Sequence, residues 1–225
     1  MMLTPTEAWQ QAYPEASVGV LAMHSVANPR AHAELDRRKE AVEAELRACY
    51  GDLDRSALRA LPVMQSYADY YRRFGKTYHV QHQIESVAWK GKSVPSVAAL
   101  VEAMFLAELQ NGLLTAGHDL ATLEPPVRID VADGSEVYRR LGGKEQVLKG
   151  GDMYIADARG VLSSILYGPD ERTRIRPETE QVLFTVYAPA GIDASAVRRH
   201  LEDIRDYVRI VAPEAEVATL DVCSA

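Results

Sequence analysis

The chain has 225 residues, of which 47% are hydrophobic and 25% are charged, and its formal net charge at pH 7 is −7. These proportions are ordinary for a globular protein and exclude a chain that is disordered by composition. The acidic balance argues against a protein that coats nucleic acid nonspecifically, because neutralising many phosphates requires an excess of Lys and Arg.

The first half of the chain is predicted to be rich in helices. Apolar and charged residues at helical spacing, bounded by capping residues and glycines, predict helices over 6–11, 28–50, 63–74, 80–89 and 97–110, with a short helical piece between Asp54 and Pro62. Residues 17–23 are a β-branched apolar run and predict a buried strand among these helices.

After the segment 114–119, which a small-residue turn marks as a loop, the hydrophobic period changes to that of strands. Strands are predicted over 127–131, 137–141, 153–156, 161–167, 182–187 and 216–222, with one more helix over 194–208. Short strands joined by glycine turns indicate a curled or barrel-like sheet, and the end of the chain reads as a β-α-β unit.

Several classes of protein and site are unsupported by the sequence. Apolar runs are far shorter than the ~20 residues that span a bilayer, and no basic start followed by an apolar stretch marks a signal peptide. Cys49 and Cys223 are too few and too far apart for a disulfide framework or a metal cluster, which fits a cytoplasmic protein. His79 and His82 have metal-like spacing but no third ligand, so we expect neither a metal nor another cofactor.

The loop Gly117-His118-Asp119 is the first candidate site. Glycine lets a backbone approach a ligand closely, and histidine donates, accepts or titrates near neutral pH. The alternative is a loop histidine beside an Asp that caps the following turn.

The second candidate site is 170–176, which holds three arginines in seven residues. Their guanidinium forks suit a carboxylate, a phosphate or a ribose. The alternative is an exposed connection in which Arg172 pairs with Asp170 or Glu171.

A third group combines Arg72, Arg73 and Lys76 with Tyr70, Tyr71 and Phe74. It is either a basic patch that grips one piece of RNA or a solvated helix end whose aromatic residues enter the core.

The order of these motifs resembles the editing domain of the phenylalanyl-tRNA synthetase β subunit, the B3/B4 domain. The resemblance rests on ordered stretches rather than one motif, namely Val94-Pro95-Ser96, Gly117-His118-Asp119-Leu120, Leu123-Glu124, Ile155-Ala156-Asp157, Gly168 and Glu178-Thr179. It is closer to the free-standing members of that family, through Tyr71-Arg72-Arg73-Phe74-Gly75-Lys76 and Arg172-Thr173.

This resemblance implies an α+β fold in which helices flank a small, barrel-like mixed sheet. It implies one domain over 1–225, with a core at about 60–190, a helical extension over 1–59 and a C-terminal helix and strand over 191–225. In the synthetase this domain hydrolyses tRNA that carries the wrong amino acid, tyrosine on tRNA(Phe). The catalytic core of the synthetase has no counterpart here, so the chain is not expected to be a complete tRNA ligase.

Three places in the sequence depart from the family pattern. Ala116 stands where the synthetase has a histidine, and Thr185 stands where it has the glutamate that helps to select tyrosine. The family's glycine pair is here Tyr167-Gly168, which reshapes the pocket. The family pattern therefore predicts neither hydrolysis nor selection of tyrosine by this chain on its own.

The first hypothesis is an aminoacyl-tRNA deacylase that acts on a mischarged or unusual aminoacyl-tRNA. An activated ester needs only a positioned water and donors for the developing oxyanion, so the missing nucleophile is no obstacle. The expected catalytic residues are His118, Thr115, Arg172 and Thr173. The expected substrate-binding residues are Gly117, Asp119, Tyr167, Gly168 and Thr185, and the expected tRNA-binding residues are Arg72, Arg73 and Lys76.

Two alternatives remain at this stage. One is a non-catalytic module that binds an amino acid or the end of an RNA, and the other is a hydrolase of small amino-acid esters or amides. The expected partner is the acceptor end of tRNA, and neither DNA nor a membrane is an expected partner.

Overall fold

A computed structural model of the chain describes residues 3–225, which form helices and strands in irregular alternation. The helices are α1 (Glu7–Ala12), α2 (Ala33–Tyr50), α3 (Arg55–Arg59), α4 (Pro62–Arg72), α5 (His79–Ala88), α6 (Ala99–Asn111) and α7 (Ala194–Val211). The strands are β1 (Leu3–Pro5), β2 (Ser17–His24), β3 (Thr115–Asp119), β4 (Val127–Val131), β5 (Val137–Arg139), β6 (Glu145–Val147), β7 (Met153–Asp157), β8 (Gly160–Ser164), β9 (Gly168–Pro169), β10 (Gln181–Ala188) and β11 (Glu216–Ser224).

Two main sheets hold most of these strands. One has the order β1-β4-β7-β8-β9, the other has the order β11-β2-β10-β3, and β5 pairs with β6 in a separate ribbon. Among the strands described over 3–225, β1 and β4 pair in parallel and the remaining pairs are antiparallel. The predicted α+β class with a mixed sheet flanked by helices is confirmed, although over 3–225 the strands form open sheets and no closed barrel.

The four-stranded sheet is built around β2 and β10. Every residue of β2 up to Met23 is buried, as the continuous apolar run predicts. β2 lies between β10 and β11, so strands from the N-terminal and C-terminal parts of the chain share one sheet with the predicted core. The C-terminal β-α-β unit therefore brackets a strand from the start of the chain. The division of the domain at about residues 60 and 190 stays a prediction.

The two sheets are joined through the side chain of Tyr187. Its buried hydroxyl donates to the Ser163 carbonyl at 2.8 Å and accepts from the Ile155 amide at 3.1 Å. Because both partners belong to the five-stranded sheet and Tyr187 belongs to β10, this hydroxyl fixes the distance between the sheets.

The opposite face of the four-stranded sheet is covered by α7. A Cβ added at Gly19 would lie 2.6 Å from Val197 Cγ1, so β2 and α7 approach too closely for any side chain there. Val197, Leu201 and Ile204 form the buried stripe of α7. None of the helices described over 3–225 combines the length and the apolar character that a bilayer crossing demands.

Candidate functional site

The segment 114–119, which the sequence predicts as a loop, contains the strand β3. β3 pairs antiparallel with β10, where Ala116 lies opposite Thr185 and His118 lies opposite Leu183. The loop prediction is wrong because small residues allow this strand to sit fully buried, with its backbone paired in the sheet. Since side chains alternate along a strand, the predicted site residues of β3 divide between its two faces.

On one face, His118 begins a chain of hydrogen bonds that reaches the loop after β9. His118 Nδ1 lies 2.8 Å from Thr173 Oγ1, and the Thr173 hydroxyl also contacts Asp170 Oδ1. An ionised carboxylate only accepts, so the Thr173 hydroxyl donates to Asp170 and accepts from His118 Nδ1–H. His118 Nε2 is then an unprotonated acceptor, and it is buried without a hydrogen-bond partner in the described part of the chain.

His118 is held in its neutral form. The pKa of its imidazole is lowered to about 3, mainly by burial and also by the positive charge of Arg172, while the carboxylate of Asp157 acts in the opposite direction. A fully buried, neutral imidazole does not exchange protons with solvent, so His118 orients its neighbours.

The chain of contacts ends at Arg172. Its Nη2 lies 2.9 and 3.0 Å from the two carboxylate oxygens of Asp157, and its Nε lies 3.5 Å from Asp170 Oδ2. Burial acts to raise the pKa of Asp157, but hydrogen bonds from two backbone amides and from Arg172 lower it overall. We call His118, Thr173, Asp170 and Arg172 the His118 chain.

Asp170 and Arg172 stand at the edge of an open cavity of about 430 Å³. The Arg172 side chain is 24% exposed, so it reaches solvent while His118 and Thr173 are fully buried. Five arginines line this space, which we call the arginine cavity: Arg139, Arg159, Arg172, Arg174 and Arg176.

On the other face of β3, Thr115 belongs to a different cluster. Its hydroxyl lies 2.7 Å from His200 Nε2, and its amide donates to Glu108 Oε1 at 2.7 Å. Burial raises the pKa of Glu108 to about 8. Thr115 therefore packs with α6 and α7, and the structure does not bring it together with His118.

Three further predicted site residues lie in the core. Asp119 accepts from Thr179 Oγ1 at 2.8 Å and caps the short 3₁₀ helix that follows β3, in agreement with the capping alternative. A Cβ added at Gly117 would lie 2.7 Å from Ile175 Cδ1, so this glycine permits close packing against a side chain. Thr185 is fully buried.

The predicted RNA patch at the end of α4 is a solvated helix end whose tyrosines enter the core, as the second alternative states, and its contact with RNA stays a prediction. Tyr70 and Tyr71 are buried, whereas Arg72 and Arg73 are exposed. The Arg72 guanidinium pairs with Asp69 at 2.9 Å. The Arg73 guanidinium lies over the rings of Tyr13, Tyr70 and Phe74, at 5.2, 6.0 and 5.9 Å from their centres.

Lys76 connects this patch with the region after β8. Its Nζ lies 4.4 Å from the centre of the half-buried Tyr167 ring. The neighbouring Gly168 carbonyl accepts from the Tyr138 hydroxyl at 2.7 Å, and Tyr138 also lines the arginine cavity. Contacts therefore run from Lys76 of the patch through Tyr167 and Gly168 to Tyr138 at the arginine cavity.

The two histidines with metal-like spacing, His79 and His82, lie on α5. No three His, Cys, Asp or Glu side chains within 3–225 are grouped so that they would hold an ion. His82 contacts Glu85 at 3.4 Å, and His79 lies edge-on to the rings of Tyr71 and Tyr78.

Sequence reasoning missed part of the arginine cavity. The clustering at 170–176 was visible, but Arg139 and Arg159 come from β5 and from the turn before β8, and only tertiary structure brings these segments together. Asp157 was visible in a motif, yet nothing in its neighbourhood predicts its pairing with Arg172.

Comparison with known proteins gives a family match and a distant structural match. The family model described as the B3/4 domain matches residues 66–219. Among solved structures, an N-terminal fragment of the phenylalanyl-tRNA synthetase β subunit from Pyrococcus horikoshii matches with 12% identity and a TM-score of 0.49. That match covers 96% of this chain and 50% of the fragment, so the chain spans half the fragment's length. A search of curated proteins finds no match.

Proposed function

Since the chain belongs to the B3/4 domain family, we propose that it hydrolyses the ester of a mischarged or unusual aminoacyl-tRNA. The observation that carries the proposal is the His118 chain, because it ends in an arginine at the edge of an open cavity. The motif order of the sequence, which resembles the editing domain of the phenylalanyl-tRNA synthetase β subunit, supports the same reaction.

In the proposed reaction, Arg172 is the residue of the His118 chain that touches the substrate. Water adds to the ester carbonyl carbon, the bond to the ribose oxygen breaks, and the ribose hydroxyl leaves with a proton. Nη1 of Arg172 donates one hydrogen to the Thr122 carbonyl at 3.1 Å, and in this proposal its second hydrogen stabilises the negative charge that develops on the ester carbonyl oxygen. The Asp157 carboxylate holds the guanidinium in place from behind.

His118 and Thr173 act as positioning residues in this proposal. The Thr173 hydroxyl donates toward Asp170 and not toward a base, so Thr173 is not an activated nucleophile. His118 fixes that direction through its Nδ1–H and thereby holds the Asp170 carboxylate that faces Arg172. We further propose that Tyr167, Gly168 and the basic patch of Arg72, Arg73 and Lys76 contact the acceptor end of the tRNA.

A second candidate is binding of the RNA end without hydrolysis. The complete burial of His118 and Thr173 favours it, because within the His118 chain only Arg172 and Asp170 border the cavity. The two candidates differ in whether ester is lost while RNA is bound.

The test is deacylation of a panel of cognate and mischarged aminoacyl-tRNAs by catalytic amounts of protein. We expect the protein to release the amino acid from a subset of the panel faster than spontaneous hydrolysis does. Arg172→Lys keeps the charge and loses the guanidinium fork, so we expect it to release the amino acid ~10-fold more slowly than the wild type. Arg209→Lys on α7 is the matched control and should behave as the wild type. Binding of the whole panel without release would replace the first candidate by the second.

A further inference from the structure

The arginine cavity brings together cations from separate parts of the sequence. Arg139 lies on β5, Arg159 lies in the turn between β7 and β8, and Arg174 and Arg176 follow β9. Its lining contains two carboxylates, Asp170 and Glu171, against five guanidinium groups. A local positive excess on a chain of net charge −7 concentrates the attraction for anions at one place.

Most of these guanidinium groups are not committed to strong ion pairs. Arg139 and Arg176 form no ion pair with any residue described over 3–225. Arg159 and Arg174 reach Glu124 and Glu171 only at 3.4 Å, between side chains that are at least partly exposed. Charge-assisted hydrogen bonds are usually about 2.7–2.9 Å long, so these contacts leave the forks open to a better acceptor.

The chemistry of the lining selects phosphate over a base or an amino-acid side chain. Guanidinium groups bind phosphate oxygens through two parallel hydrogen bonds. The one aromatic residue of the lining, Tyr138, is buried and donates its hydroxyl to Gly168, so it offers no free ring on which a base stacks. A ligand held through its phosphates alone is better matched by a polymer backbone than by a free nucleotide.

We propose that the arginine cavity is a phosphate-binding site for the backbone of a single-stranded RNA end. Arg139, Arg159, Arg174 and Arg176 grip backbone phosphates beside Arg172. This inference rests on the proposed function, because the RNA end is the substrate end named there. It adds the surface that holds the nucleotides preceding the ester-bearing one.

The test measures binding of an RNA hairpin with a single-stranded 3′ end that carries a fluorescein label and no amino acid. Binding is followed by fluorescence anisotropy at several salt concentrations. The variant is Arg139→Gln with Arg176→Gln, which removes two cations that have no carboxylate partner and so leaves no acid unpaired. We expect roughly tenfold weaker binding at low salt, and a slope of log Kd against log salt that is smaller by about 1–2.

The matched control is Arg198→Gln with Arg199→Gln, which removes the same charge from two exposed arginines of α7. Neither forms an ion pair with a residue described over 3–225. Control binding like that of the wild type supports the site, and equal weakening in both variants means a nonspecific charge effect and overturns it. Displacement of the hairpin by ADP or pyrophosphate at equal phosphate concentration would assign the cavity to a small phosphate compound and also overturn the RNA proposal.

The outcome is separable from that of the proposed hydrolysis, because the hairpin carries no ester. Loss of hairpin binding in the variant of a protein that releases no amino acid would leave the phosphate site standing and remove the deacylase. If the wild-type protein deacylates rapidly and the variant with Arg139→Gln and Arg176→Gln binds the hairpin normally, the deacylase proposal stands and the phosphate site is removed.

Discussion

Two histidines, His118 and His200, are fully buried in this protein, and each shares a short hydrogen bond with a threonine hydroxyl. Burial lowers the pKa of both to about 3. Beyond the threonine the two clusters differ. The His118 chain continues through Asp170 to Arg172 at an open cavity, whereas His200 stays between α6, α7 and β3.

This difference shows which observation identifies a candidate site. Burial and a shifted pKa are the same for both histidines, so neither property separates a functional group from a structural one. Continuity with a charged, solvent-open cavity does separate them.

The largest expected effect is a loss of stability when Arg172, the charged end of the His118 chain, is removed. Arg172→Ala should lower the free energy of unfolding by roughly 3 kcal/mol, because Asp157 is completely buried and loses its counter-charge. At the corresponding end of the His200 cluster, Asn111→Ala removes hydrogen bonds to His200 and Asp203 and should cost only about 1 kcal/mol. Urea unfolding of both variants measures the two values.

Arg176→Ala is the control for Arg172→Ala, since it removes an exposed arginine of the same cavity that has no acid partner. Its expected effect is below about 0.5 kcal/mol. If Arg172→Ala costs no more than Arg176→Ala, the ion pair with Asp157 does not anchor the chain and the contrast between the clusters is lost.

A smaller effect, common to both histidines, is expected in the pH dependence of stability. Each imidazole has an ordinary pKa of 6.5 when unfolded and about 3 when folded. Between these values the unfolded chain binds protons that the folded chain does not, so stability is fully present above pH 6.5 and is lost as pH falls toward 3. The slope is about 1.4 kcal/mol per pH unit for each histidine.

His118→Gln and His200→Gln each remove one of these contributions. The difference in free energy of unfolding between the wild type and each variant, measured by urea titration from pH 7 to pH 4, should shrink by that slope. Similar behaviour in both variants is the expected result. If this difference in free energy of unfolding does not change with pH for one variant, the imidazole removed there takes up protons in the folded protein as it does in the unfolded chain. The two histidines would then no longer behave alike.

Much of the fold was predictable because local signals agree with it. The strand predicted from the apolar run over 17–23, the helical piece after Asp54 and the helix predicted over 194–208 each correspond to an element of the structure. β1, β6 and β9 were missed, since strands of two or three residues exist through their pairing partners and leave no pattern of their own. The B3/4 family, predicted from the order of motifs, is confirmed.

The candidate site was less predictable, for a physical reason. Gly117 looked like a turn residue, and the structure uses it to let a strand pack against Ile175. Glycine satisfies both demands, so the sequence alone did not decide between them. The alternation of faces within β3, which separates Thr115 from His118, became readable only once the segment was known to be a strand.

The smallest expected difference between the two clusters is the tautomer of each histidine, that is, which ring nitrogen carries the hydrogen. This difference contributes almost nothing to the free energy of unfolding. Asn111 Nδ2 lies 3.1 Å from His200 Nδ1 and also donates to Asp203, so His200 Nδ1 accepts and its Nε2 carries the hydrogen that reaches Thr115. In the His118 chain the hydrogen sits on Nδ1 instead. Nitrogen-15 spectra at pH 7 should therefore show the two histidines as opposite tautomers.

Thr173→Val sharpens this last test, because it removes the acceptor that holds the hydrogen on His118 Nδ1. Signals of His118 should then move toward the Nε2–H form while those of His200 stay fixed, with Thr115→Val as the matched change at the other cluster. Should His118 show the Nε2–H tautomer in the wild type, the Thr173 hydroxyl donates to His118 Nδ1 and does not donate to Asp170. The His118 chain would then lose the direction through which His118 holds Asp170, and with it Arg172, at the cavity edge.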